Sequence, residues 1–210
     1  MRPVASKGQA TRNQILDAAL RLASVLGLEG LTIGELAKSV GMSKSGLYAH
    51  FQAKDSLQLQ VLEQVRDRFV DHVLRPAFRS PRGEPRVRGI LKHWVEYLEN
   101  PRTQAGASVF IAASFELDDR PGPLRDFLIQ THRELFGNLE KAVRLAIEEG
   151  HFHSSAQPQQ FAFEMHSLVM GFQHAQRLLQ ETRSKDWLFS AFDQMIARAK
   201  NENIPDNKRV

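Results

Sequence analysis

Three sets of residues in this sequence have the types and spacing to do chemistry. His151 and His153, one residue apart after Gly150, could present two imidazole nitrogens to a metal ion. Glu116, Asp118 and Asp119 could act as paired carboxylates in acid–base catalysis. Lys44, Ser45, Tyr48, Ala49 and His50 could form the outward face of one short helix, with small or hydrogen-bonding side chains led by a cation. Such a face suits contact with phosphates and base edges. The first two sets have simpler readings. The histidines lack a nearby carboxylate. The acids precede Arg120-Pro121-Gly122-Pro123, where negative charge favours the start of the next helix. No nucleophile motif, phosphate-cradling glycine loop or zinc signature appears, and the absence of cysteine removes thiol chemistry. No cofactor, no metal and no enzymatic activity are expected.

The third set needs elements to position it. Ile15, Ala18, Ala19, Leu22, Ala23 and Leu26 recur at helical intervals, with Thr11 and Gln14 spaced as a capping box and Gly27 and Gly30 as a stop. Thr32 and Glu35 form a second box ahead of Ile33, Leu36, Ala37 and Val40, which Gly41 ends. A third short helix follows Ser43, with Leu47 and Phe51 turned inward. Two short helices joined through Gly41-Met42-Ser43 have helix-turn-helix spacing.

Charge divides the chain at the same place. Residues 1–54 hold seven Lys/Arg against three acids, which accounts for the whole net charge of +4, and no acid lies between Glu35 and Asp55. A basic head on a neutral body implies that the head meets a polyanion; a merely solvated basic segment is the alternative. A composition of 42% hydrophobic and 25% charged residues is that of a globular chain. No apolar run is long enough to span a bilayer and residues 1–10 lack a signal-like apolar block, so a cytoplasmic location without membrane contact is expected.

The stretch 11–57, above all Leu31-Thr32-Ile33 and Gly41-Met42-Ser43-Lys44-Ser45-Gly46-Leu47-Tyr48-Ala49-His50-Phe51 through Lys54, resembles the DNA-binding domain of the tetracycline-repressor (TetR/AcrR) family. The resemblance implies DNA-binding roles for eight residues. Thr32 would hold a phosphate at a helix start. Ser43, Lys44, Ser45 and Gly46 would meet bases or adjoining phosphates, Gly46 by close backbone approach. Tyr48 and His50 would grip the sugar-phosphate backbone, and Lys54 would add a phosphate contact. Ala53 departs from the family pattern, which has a polar cap there, so a looser first turn of the fourth helix is expected.

Beyond the head, Leu57, Val61, Val65, Phe69 and Val73 step by four, predicting a long helix over 54–78 that links a head at 1–54 to a body at 55–210. Further helices are predicted around 87–99, 105–117, 123–149, 158–181 and 185–199, with no useful β alternation. The expected fold is all-α: an N-terminal three-helix helix-turn-helix domain and a larger C-terminal helical domain for ligand binding and dimerisation. Trp94, Phe110, Phe115, His132, Phe136, His166 and Met170 have the mostly apolar character of a ligand site, and the resemblance places a small-molecule pocket in this region; an ordinary core has the same character. The segment 161–179 is apolar on nearly every face. By resemblance the last two helices pair with those of a second copy, giving Phe172, Ala175, Leu179, Trp187, Phe192 and Met195 as interface candidates, with a monomer core as the alternative.

These features together predict a homodimeric, sequence-specific transcription regulator. It would be a repressor released from a palindromic double-stranded operator by a small-molecule effector. A helical interaction scaffold, or a helical enzyme with a basic head, is the other reading.

Overall fold

The computed structural model describes residues 7–201, with side chains from Thr11 onward. Arg2, the Lys7 side chain and the segment read for a signal lie outside the described side chains. All regular structure among the described residues is helical. The helices are α1 (Lys7–Gly30), α2 (Ile33–Val40), α3 (Lys44–Phe51), α4 (Lys54–Phe69), α5 (Arg75–Arg79), α6 (Glu84–Glu99), α7 (Gln104–Glu116), α8 (Pro123–Glu148), α9 (Pro158–Arg177) and α10 (Ser184–Lys200), with a π turn at Val70–Leu74 between α4 and α5. Among the described residues, no helix is long and apolar enough to cross a membrane.

The described residues form two compact units, residues 7–71 with 97–131 and residues 72–96 with 132–201. In the first, Ile15, Ala19 and Ala23 of α1 and Leu57, Val61 and Val65 of α4 share one core with Leu36, Leu47 and Phe51 of the short helices. Val109 and Ala113 of α7 belong to the same core. Most of the inward stripe read from the sequence is buried, but Leu22 and Val40 are only half-buried and Leu26, beside the break at Gly27, is exposed at 47%. In the second unit, α9 and α10 pack through Phe161 and Phe192, whose rings meet edge-on at 6.2 Å. Arg88 ties α6 to α10 through Asp193 at 2.6 Å.

Two local expectations are corrected. Thr11 lies inside α1, which begins at Lys7, so it is no helix cap. The predicted helix over 54–78 is interrupted by the π turn. Two features of the sequence account for that turn. A strict four-residue apolar step outruns the 3.6-residue period of an α-helix, and a turn closed i to i+5 takes up the surplus. Pro76, just beyond, has no N–H to donate and crowds the carbonyl of the preceding turn.

Candidate nucleic-acid interface

The short helices start and stop on side chains that the sequence supplies. The Thr32 hydroxyl accepts the Glu35 N–H at 3.1 Å. Glu35 does not complete the reciprocal half of its box within α2; its carboxylate binds Lys38 at 2.7 Å. Gly41 ends α2 at φ 66°, a left-handed conformation that glycine adopts without a Cβ clash. Ser43 then caps α3 by accepting the Gly46 N–H at 3.1 Å.

Leu47 and Phe51 are buried, at 0% and 1% exposure, and this anchors the roll of α3. Ser43, Lys44, Ser45, Tyr48 and Ala49 are consequently exposed, Tyr48 at 52%, while Gly46 and His50 are half-buried. No acid occurs on α3. A Cβ on Gly46 would stand 3.2 Å from the Ser43 hydroxyl, so this glycine also makes room for the cap. The Lys44 stem lies over Gly34 of α2, where an added Cβ would stand 3.4 Å from its Cε. Lys54 begins α4, and Ala53 before it is extended and makes no side-chain cap, as the departure from the family pattern implied.

Gly27 breaks α1 where the sequence placed a stop, but the contacts made there escaped the sequence reading. Gly27 takes φ 77°, leaving the N–H groups of Leu28 and Glu29 at the start of a new turn. The Glu116 carboxylate, on the last turn of α7, accepts both, at 3.0 and 2.8 Å. It does not serve the start of α8, as the sequence had suggested. The buried Gln58 donates its amide N–H to the Leu28 carbonyl at 2.6 Å. A glutamine beside the apolar stripe of α4 was visible in the sequence; Glu116 carried no such signal.

The ligand candidates separate. In the second unit Trp94, His132 and Phe136 surround His166, with ring centroids 6.1, 5.9 and 5.0 Å from it. Burial, helped by the charge of His132, pushes the His166 imidazole down to about 4, so it is neutral near pH 7. Met170 follows one turn later on α9, half-buried. Phe110 packs against the core of the first unit, and Phe115, also in that unit, is 66% exposed.

The interface candidates also divide. Phe172, Phe192 and Met195 are buried in the second unit itself, because the inward faces of α9 and α10 meet there, and they offer no surface to a partner. Ala175 is half-buried, whereas Leu179 and Trp187 are exposed, together with Phe163 and Leu178. The all-round apolar character of 161–179 thus has an inner and an outer half. His151 and His153 serve separate partners. His151 Nδ1 accepts the Glu84 N–H at 3.2 Å at the start of α6, and His153 Nδ1 pairs with the Ser155 hydroxyl at 2.7 Å.

Comparisons with known proteins match two stretches of the chain. Residues 15–61 match the family described as bacterial regulatory proteins, tetR family, and residues 83–192 match the tetracyclin repressor-like C-terminal domain. The chain is 34% identical over 97 residues to the HTH-type transcriptional regulator AcrR of Shigella flexneri, a match covering 45% of each chain. It is 33% identical over 64 residues to the biofilm-operon negative regulator IcaR of Staphylococcus epidermidis, covering 30% of this chain and 35% of that one. The matches therefore span less than half the length of these relatives. Among solved structures, a TetR-family regulator from Cytophaga hutchinsonii superposes with a TM-score of 0.80 at 18% identity, over 95% of this chain and 100% of the other. A structure of AibR with isovaleryl coenzyme A and operator DNA superposes with a TM-score of 0.72 at 22% identity, over 90% and 97%. The C-terminal family match alone covers more than half of the sequence, and with the N-terminal match it settles the classification: the chain belongs to the TetR family of bacterial regulatory proteins.

Proposed function

We propose that this chain is a cytoplasmic, homodimeric regulator that represses transcription from a palindromic operator and is released by a small molecule. The observation that carries this reading is the α3 face: exposed Ser43, Lys44, Ser45 and Tyr48, free of acids, on a helix whose roll is fixed by Leu47 and Phe51. Lys44, Ser45 and Gly46 would enter the major groove. Thr32, Ser43, Tyr48, His50 and Lys54 would hold the flanking phosphates. A second copy would join through the outer half of α9 and α10, where Phe163, Leu178, Leu179 and Trp187 are exposed. Open space above Gly171 suits close helix approach there. Two heads then meet half-sites about 34–36 Å apart.

The effector would bind beside His166, where aromatic rings and a neutral imidazole supply the mix of apolar surface and few polar groups that small-molecule sites use. An effector that prefers the non-binding state by about 2.7–4.1 kcal/mol weakens operator affinity 100- to 1000-fold. Footprinting on DNA flanking the chain's own coding region tests the proposal. Protection of a two-fold symmetric site is expected, together with a dimer in sedimentation that Leu179→Asp disrupts. A chain that protects no DNA in that region and sediments as a monomer would sink it.

A further inference from the structure

Two cations from distant parts of the sequence converge on one oxygen. Glu29 Oε2 lies 3.3 Å from Lys54 Nζ and 3.6 Å from a terminal guanidinium nitrogen of Arg120. Lys54 opens α4, and Arg120 lies in the connection between α7 and α8, where its own backbone N–H donates to the Leu117 carbonyl at 3.2 Å. Glu29 is held in turn by Glu116, which accepts its backbone N–H. The backbone that carries this carboxylate is therefore tied to α7, and the carboxylate pairs with both cations. Their nitrogens can be no farther apart than the sum of the two distances, a span that one phosphate group can bridge.

We infer that Arg120 is a DNA-phosphate ligand that works with Lys54, and that Glu29 occupies the phosphate position in the free protein. This rests on the DNA-binding reading of the head. The chemistry favours exchange. A carboxylate in an exposed ion pair holds its partners weakly, and Glu29, Lys54 and Arg120 all retain substantial exposure, at 44%, 37% and 61% of the side chain. A phosphate offers more acceptor oxygens, and its guanidinium contacts can be bidentate. Each cation that moves from Glu29 to DNA also releases condensed counterions, which the carboxylate cannot do. Asp118 and Asp119 precede Arg120, so the segment is no general basic patch, and its contribution depends on where this one guanidinium stands. The inference extends the DNA contact from the helix-turn-helix to a segment some seventy residues further along the chain.

The test is the salt dependence of binding to a mixed-sequence duplex three helical turns long, which needs no knowledge of the operator. Against log salt, the slope of log affinity for Arg120→Ala should be shallower than wild type by about 0.9 for each docked subunit, and Arg120→Lys should restore it. Glu29→Gln should tighten binding two- to fivefold on any sequence. Melting temperatures of the free variants separate a lost contact from a lost fold, since a purely structural role for Arg120 would lower stability and leave the slope alone. An unchanged slope in folded Arg120→Ala, or weaker binding by Glu29→Gln, would overturn the assignment while leaving the DNA-binding reading intact. A wild-type chain that binds no duplex at low salt would overturn both.

Discussion

The carboxylate of Glu116 accepts the backbone N–H of Glu29 at 2.8 Å, joining two residues 87 positions apart in sequence. Its other oxygen takes the N–H of Leu28, so both oxygens bind the turn that restarts after Gly27. A helix start leaves N–H groups without partners inside the helix, and here a side chain from α7 supplies the acceptor that local sequence does not. The turn leads directly to Thr32 and α2. The segment just ahead of the helix-turn-helix is thereby fastened to α7.

Glu116→Ala should destabilise the fold by about 1–2 kcal/mol, the worth of charged hydrogen bonds at a partly exposed site. Amide exchange at Leu28 and Glu29 should accelerate by at least tenfold, while amides buried inside α9 keep their protection. Glu116→Gln retains one acceptor oxygen and should fall between. Unchanged exchange at both amides in Glu116→Ala would show that the turn holds itself.

Base reading and phosphate holding predict different mutational signatures on α3. Tyr48→Phe and Lys54→Ala should weaken specific and non-specific duplexes alike. Lys44→Ala should also lower the ratio between them, by about 1–3 kcal/mol if its contact is bidentate to a base. Titrations with an operator and a scrambled duplex read both quantities; equal losses on the two duplexes for Lys44→Ala would take base reading away from it.

Gln52 marks a strained corner between α3 and α4. Its φ of 63° and ψ of −41°, with the Ala53 N–H donating to the Phe51 carbonyl at 2.7 Å, describe a tight three-residue turn that L-residues avoid. Gln52→Gly should raise stability by about 1 kcal/mol, net of glycine's greater freedom in the unfolded chain. The helix order is unaltered, so DNA affinity should hold. A lower melting temperature would mean that the Gln52 side chain contributes more than the strain removes.

The head was legible because its information is local. Thr32 and Ser43 cap the helices that follow them, Gly41 ends the helix before it, and Leu47 and Phe51 face inward at the spacing of one helical turn; each statement needs only neighbouring residues. The body was legible in its helices but less so in its partners. Periodicity shows that 161–179 must be covered on two sides, yet not which apolar residues face the chain's own α10 and which face outward. Phe172, Phe192 and Met195 therefore look the same in sequence as Leu179 and Trp187. Trp94, His132, Phe136 and His166 could be named together from their mostly apolar character, but only the fold shows that their rings meet. Glu116, Glu29 and Arg120 were illegible for a further reason: their pairing depends on how α7 lies on α1, and nothing within a few residues of any of them records that. The π turn is the intermediate case. A run of strict four-residue steps followed by Pro76 was in plain view, and its consequence follows from helix geometry alone.

His166 gives the second unit a specific acid sensitivity. Its folded pKa, about 4, lies below the ordinary imidazole value of 6.5, so between those values the unfolded chain binds the proton more readily than the folded one. Stability linked to this group is therefore complete above pH 6.5 and is lost as the pH falls towards 4. Because the ring keeps some contact with solvent, the loss should amount to about 1–2 kcal/mol, less than full burial would give. His166→Gln is polar but cannot take up a proton, so its stability should fall less steeply over this interval than that of wild type, while both still show the general weakening from carboxylates. Denaturant melts at intervals across the acid range measure the difference between the two curves, in which those carboxylate contributions cancel. A constant difference across the range would mean that protonated His166 is accommodated beside Trp94, His132 and Phe136 without penalty. A difference that shrinks as the pH rises would instead reverse the sign assigned to the burial of this imidazole.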